Sequence, residues 1–183
     1  MSLKNRYVAF LRGINVGGNH KVPMAMLKQE MIALRFENVD TLLNSGNVIF
    51  DAASGTEESL EETIASKLRE RFGFAVPVLV RKADTILALI QSKPFESIEV
   101  TKDIRLYVSL LKTNTTPDIA LPWTSADGSY TILEVKDKCI CSVLDLAVAQ
   151  TPKAMDALEV LYGKNLTTRN WNTIVRVVDK IAR

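Results

Sequence analysis

The chain has 183 residues, 47% hydrophobic and 24% charged, with 23 basic and 21 acidic side chains and a net charge of +2. That is enough globular sequence to bury roughly 70% of the unfolded surface, so neither a metal nor a disulfide staple is required for stability. The near balance of charge argues against a bulk electrostatic binder of polymers and leaves only a local basic patch in play.

"YVAFL", Tyr7 to Leu11, is a short apolar run that predicts a central strand. No signal peptide precedes it, and no apolar stretch is long enough to span a membrane, so a soluble cytoplasmic protein with no membrane contact is expected. From Pro23 the pattern turns helical, with Met24, Leu27, Met31 and Leu34 on one face and the proline suited to a first helical position. Val39 to Leu43 and Asn47 to Phe50 predict two strands, joined by "NSGN" with Ser45-Gly46 at a tight turn. "TEESLEETIASKLRERFG" predicts a helix capped by Thr56 and ended by Gly73, with Leu60, Ile64, Leu68 and Phe72 as its stripe. Its carboxylates, Glu57 and Glu58 among them, read as a solvated helix start that complements the dipole rather than as a catalytic cluster. A strand from Val76 to Arg81 completes the order β-α-β-β-α-β, the ferredoxin-like one.

The second half repeats that order imperfectly. "ADTILALIQS" predicts a connecting helix and Ile104 to Leu111 a strand; "TPDIALPWTSADG" reads as loop or short helix. "SYTILEV" and "CICSVLDL" predict a hairpin across Lys136-Asp137-Lys138, and "PKAMDALEVLYG" a helix facing inward through Ala154, Ala157, Leu158 and Leu161. "NWNTIVRVVDKIA" predicts a last helix where the matching half would place a strand. The expectation is an α+β fold of two ferredoxin-like subdomains in tandem, 1–82 and 83–183, the second degenerate and ending in a helix. Cys139 and Cys141 fall on one face of their strand, read as small buried hydrophobes; no further Cys or His stands near enough for a metal site, and no cofactor is implied.

The opening loop asks for an explanation of its own. In "FLRGINVGGNHKVP" an arginine is followed by three glycines, two asparagines and the chain's only histidine. In the expected topology the loop from Arg12 to Lys21 lies beside Asn44 to Asn47 and the amino end of the first helix. Such a place favours anions: backbone N–H groups and the helix dipole supply partial positive charge, and Gly17-Gly18 can form a concave nest of donors. Arg12 offers a bidentate fork, and His20 and Lys21 add further donors. Set against this, glycines and asparagines also serve turns for conformational reasons alone, and a lone histidine is more often a surface or capping residue than a catalyst. The glycine spacing fits neither a dinucleotide fingerprint nor a phosphate loop. Near the end, "LTTRNWNTIV" places Thr167, Thr168 and Asn170 as cap residues, with Arg169 among them unexplained by capping.

At these residues the sequence resembles a known family. "LRGINVGGNHKVPMAMLK", "NSGNVIF" and "TTRNWNT" are similar to the signatures of the bacterial domain-of-unknown-function family 1697. The resemblance implies two ferredoxin-like subdomains and no established activity. It marks Arg12, Gly13, Asn15, Gly17, Gly18, Ser45, Gly46, Asn47, Arg169 and Asn170 as occupying motif positions, and it gives no role to any of them.

Three classes of function follow. The first is a site for a small anionic or phosphorylated ligand formed by Arg12, Asn15, Gly17, Gly18, His20, Lys21, Ser45, Asn47, Thr168, Arg169 and Asn170; as an enzyme it would use Ser45 or His20 as the reactive group. The second is single-stranded RNA binding through Tyr7, Phe10 and Phe50 on the sheet, disfavoured by the missing RNP pattern and the low net charge. The third is a non-catalytic interaction module. Both faces of the first strand are apolar, so Tyr7, Phe10 and Phe50 are expected to be buried. Arg12 and Arg169 are expected to share one solvent-reached anion.

Overall fold

The computed structural model describes residues 5–182, an α+β protein with five helices and two antiparallel sheets among them. The chain divides into two compact units, one of residues up to 87 together with those from 177, the other of residues 88–176. No helix among the described residues is long and apolar enough to cross a membrane.

The first unit runs β1 (Asn5–Leu11), α1 (Met24–Ala33), β2 (Glu37–Leu42), β3 (Asn47–Ala52), α2 (Glu57–Phe72) and β4 (Val78–Lys82). Its sheet has the order β2-β3-β1-β4, so β1 and β3 are central and each strand opposes its neighbour. Alternation along β1 sends Tyr7, Ala9 and Leu11 into a core with Leu27 and Met31 of α1 and Leu60, Ile64 and Leu68 of α2. Val8 and Phe10 point the other way and are fully buried too. Tyr7 is 1% exposed, Phe10 and Phe50 0%, so none of the three can stack on a base. The expectation of burial holds, and the RNA reading loses its platform.

The second helix begins and ends as its sequence predicts. Thr56 Oγ1 accepts from Ser59 N, Ser59 Oγ accepts from Thr56 N, and Gly73 closes the helix in the left-handed region at φ 78°. Pro23 takes the N-cap of α1 rather than its first helical position. The carboxylates of α2 do more than a solvated helix start requires. Glu57 Oε1 accepts from Lys82 N at 2.9 Å, and Glu61 Oε1 accepts from Val80 N at 3.0 Å. β4 is an edge strand, and these two side chains occupy backbone donors that would otherwise invite another strand. Arg81, buried on the same strand, lies 3.7 Å from Glu57 and 3.6 Å from Glu61.

After α3 (Ala83–Gln91) the second unit contains β5 (Ile104–Leu111), β6 (Trp123–Thr124), β7 (Tyr130–Lys136), β8 (Cys139–Asp145), α4 (Thr151–Tyr162) and β9 (Leu166–Asn170). The sheet order is β6-β7-β8-β5-β9. Ala154 and Leu158 of α4 pack on Leu111, Tyr130, Ile132, Ile140 and Leu144, with Ala157 and Leu161 partly buried beside them. Cys139 and Cys141 are buried, unbridged thiols, as alternation required. Burial pushes the Cys141 thiol far above its ordinary pKa, with Glu134 adding to the effect.

One expectation is corrected here. Thr167 to Asn170 do not form a cap region but the strand β9, paired antiparallel with β5, and only then does α5 (Trp171–Ile181) begin. Threonine serves caps and strands alike, and here pairing with β5 decides. Asn170 alone caps, its Oδ1 accepting from Asn172 N at 3.0 Å. The end of α5 returns to the first unit: Arg6 Nη1 donates to Ile181 O at 3.1 Å, and Lys180 pairs with Asp40 at 3.0 Å.

Candidate functional site: the loop after the first strand

β1 delivers the chain into the loop under two backbone bonds. Leu11 N donates to Gly46 O at 2.8 Å and Arg12 N to Pro77 O at 2.9 Å. The loop then folds into a miniature hairpin. Asn19 N donates to Val16 O at 3.1 Å, and Gly17 and Gly18 take φ of 58° and 81°. Two consecutive positive φ values make the hairpin tip of a primed turn, which explains both glycines.

Asn15 is the clamp of the site. Its Nδ2 donates to Val22 O and to Asn44 O, each at 2.9 Å, and its Oδ1 accepts from Val22 N at 2.8 Å. One side chain thus joins the glycine loop, the lead-in to α1 and the turn between β2 and β3. Asn47 does the same for that turn: it is fully buried, and Nδ2 donates to Leu42 O at 2.8 Å and to Ser45 Oγ at 3.1 Å. Gly46 has φ 78° and sits so close to the loop that an added Cβ would lie 2.6 Å from Ile14 Cδ1. The predicted convergence of loop, hairpin and helix start is present, but both asparagines are positioning groups whose polar atoms are engaged.

His20 is exposed, with its ring stacked on Phe74 at 4.5 Å and Nδ1 3.3 Å from Gly13 O. A carbonyl only accepts, so Nδ1 carries the hydrogen and Nε2 is the nitrogen that can meet a ligand. Lys21 is exposed and Arg12 half-buried. Pro23 supplies no side-chain cap to α1, whose first turn holds no acidic residue. No carboxylate occurs in the sequence from Arg12 to Gln29 or from Thr41 to Phe50. The loop and the turn thus bring basic side chains and a helix start but no acidic side chain of their own.

The remaining predicted residues lie in the second unit. Thr168 Oγ1 is 2.7 Å from Ser109 Oγ across the β5–β9 pairing. Arg169, expected to share a solvent-reached anion with Arg12, is only 7% exposed, and its Nη1 donates to Thr167 Oγ1 at 2.8 Å and to Thr168 O at 3.1 Å. Burial pushes its pKa down to about 10. Among the described residues no group of three His, Cys, Asp or Glu side chains is placed to hold a metal. Sequence reasoning missed the Glu57, Glu61 and Arg81 cluster; the one signal was the spacing of the two glutamates, four apart on α2.

Residues 4–140 match the family described as "Protein of unknown function (DUF1697)". The match takes in the glycine loop and the hairpin turn, and ends before β9. Among solved structures, the chain is similar to the conserved bacterial protein SP0830 from Streptococcus pneumoniae, with 21% identity and a TM-score of 0.75 over 99% of this chain and 100% of that one. At that identity the likeness is one of fold. No curated protein matches.

Proposed function

This chain belongs to the DUF1697 family, and from the geometry of its own loop we propose that it binds a small anionic or phosphorylated molecule where that loop, the β2–β3 turn and the start of α1 meet. One observation carries the reading: three elements converge on Asn15, and neither the loop nor the turn contains a carboxylate. Lys21 supplies charge with Arg12 beside it, His20 Nε2 supplies a directed hydrogen bond, and the N–H groups of α1, which no side chain caps, complete the field. Asn15, Asn47, Gly17, Gly18 and Gly46 hold the frame. The proposal is confined to the first unit and does not draw on Thr168, Arg169 or Asn170, which lie in the second.

The fold reading that accompanies this is tandem and ferredoxin-like. In the first unit it is supported by the element order and by the strand order β2-β3-β1-β4. In the second, β5 sits between β8 and β9 as β1 sits between β3 and β4, and α4 links β8 to β9 as α2 links β3 to β4. A loop with the short β6 stands where the first helix would be, and β9 supplies the last strand that was expected to be replaced by a helix.

The test is a thermal-shift and calorimetric screen with inorganic phosphate, sugar phosphates, nucleotides and dicarboxylates at millimolar concentration. At least one stabilises the parent chain, and Lys21→Ala removes that stabilisation while the unliganded midpoint stays put. No response to any of them sinks the reading.

A further inference from the structure

The second unit holds two adjoining open clefts lined in part by the same residues. One, of about 440 Å³, is bounded by Phe95, Leu106, Val100 and Trp171. The other, of about 230 Å³, reaches Arg105, Asn170 and Thr101, and shares Val100, Leu106, Trp171 and Asn172 with the first. Volumes of this order suit a small organic molecule. The two ends differ in chemistry. Phe95 and Trp171 meet edge to face, with centroids 5.0 Å apart and planes at 73°, and form an aromatic corner. The charges at that end, Lys93 and Glu96, pair with each other at 3.0 Å and cancel.

At the other end the charge is not cancelled. Arg105 makes no ion pair among the described residues. Its Nη1 donates to Lys102 O at 2.7 Å and Ile104 O at 3.0 Å, which fixes the guanidinium and leaves Nε and Nη2 as donors. Asn170 has its Oδ1 occupied by Asn172 N, so its amide NH₂ is the group left to donate. An oriented, unpaired guanidinium with an amide donor beside it matches an acid group, and the aromatic corner matches a flat apolar body.

We propose that these adjoining clefts form a binding site for a small amphipathic organic anion, its apolar or aromatic body against Trp171 and Phe95 and its carboxylate or phosphate at Arg105. The site lies wholly within the second unit and does not rest on the glycine-loop reading.

The chain contains two tryptophans, so Trp123→Phe leaves Trp171 as the only reporter. In that background, naphthoate produces a saturable fluorescence change below millimolar concentration. The uncharged naphthamide binds about tenfold more weakly or worse, because it forgoes the charge-assisted bonds. Arg105→Gln weakens naphthoate by a similar factor with an unaltered circular dichroism spectrum, and Arg105→Lys recovers part of the loss. Lys21→Ala, at the other proposed site, leaves naphthoate affinity unchanged. The proposal is overturned if naphthoate gives no saturable change, if naphthamide binds as tightly, or if a folded Arg105→Gln keeps full affinity. Should Arg105→Gln not fold, the comparison of naphthoate with naphthamide on the parent background decides.

Discussion

Asn15 and Asn44 are joined by a 2.9 Å hydrogen bond from the side-chain Nδ2 of the first to the carbonyl of the second. It links two loops 29 residues apart in sequence, and the same side chain makes two further bonds to the backbone of Val22. Asn15 itself has φ 55°, a conformation that asparagine tolerates better than most residues. Replacing it by glycine keeps that backbone and removes only the three bonds, for a loss of about 2 kcal/mol. Asn15→Asp loses more, since a carboxylate oxygen then faces two carbonyls. Urea denaturation checks this; an Asn15→Asp chain as stable as Asn15→Gly would contradict the assignment.

The glycines divide by what surrounds them. At Gly18 an added Cβ meets nothing within 4 Å, so Gly18→Ala carries only the strain of a positive φ, about 1 kcal/mol. At Gly46 the same atom meets Ile14 Cδ1 at 2.6 Å and Leu11 Cβ at 2.9 Å, and the combined strain and overpacking reach about 3 kcal/mol. Melting the two variants side by side gives the ranking, with Gly46→Ala the less stable.

Glu61 binds the edge of β4 and stands beside buried Arg81. Glu61→Ala strips a partner from a buried cation and a backbone N–H together, for about 3 kcal/mol or more. Glu61→Gln, which keeps the acceptor and loses the charge, falls between that variant and the parent. Light scattering should also show more self-association for Glu61→Ala, because the strand edge it covers is then available for pairing.

Asp127 gives the pH dependence. Its carboxylate accepts from Lys153, from the hydroxyls of Ser125 and Ser129 and from Ser129 N, and these partners, Lys153 first, hold its pKa well below the usual carboxylate range. A depressed folded-state pKa contributes stability that is present above the unfolded value, about 4, and lost as pH falls through the folded one. The stability difference between the parent and Asp127→Asn is therefore constant from pH 7 down to about 5 and shrinks below about 4. A difference that grows on acidification would contradict this.

How much of this was legible beforehand depended on whether a signal was local. The α2 helix was, from Thr56 to Gly73, because capping and periodicity are properties of adjacent residues. The tight turn at Ser45-Gly46 was legible for the same reason. β9 was not, because Thr167 and Thr168 suit a cap as well as a strand and the deciding partner, β5, lies some 60 residues upstream; Thr168 pairs with Ser109. At the candidate site, the convergence of the loop and the turn followed from topology. The division of labour did not: Asn15 looks as available for a ligand as Lys21 does, and only its three bonds show that it is occupied. Arg169 was hidden in the same way, since a sequence does not show whether an arginine lies in water or is nearly buried.

The return of α5 to the first unit has a consequence for how the protein is made. Arg6 waits for the carbonyl of Ile181, and Asp40 for Lys180, across nearly the whole chain. On a ribosome most of the first unit is synthesised early, and its contacts with residues from 177 onward come only after the second unit has been made. The second unit, synthesised between, is complete in sequence before the first one is. A stop at residue 176 would therefore damage the portion of the protein farthest from the cut in sequence, and sensitivity to C-terminal proteolysis should register first in the amide exchange of β1 and β2.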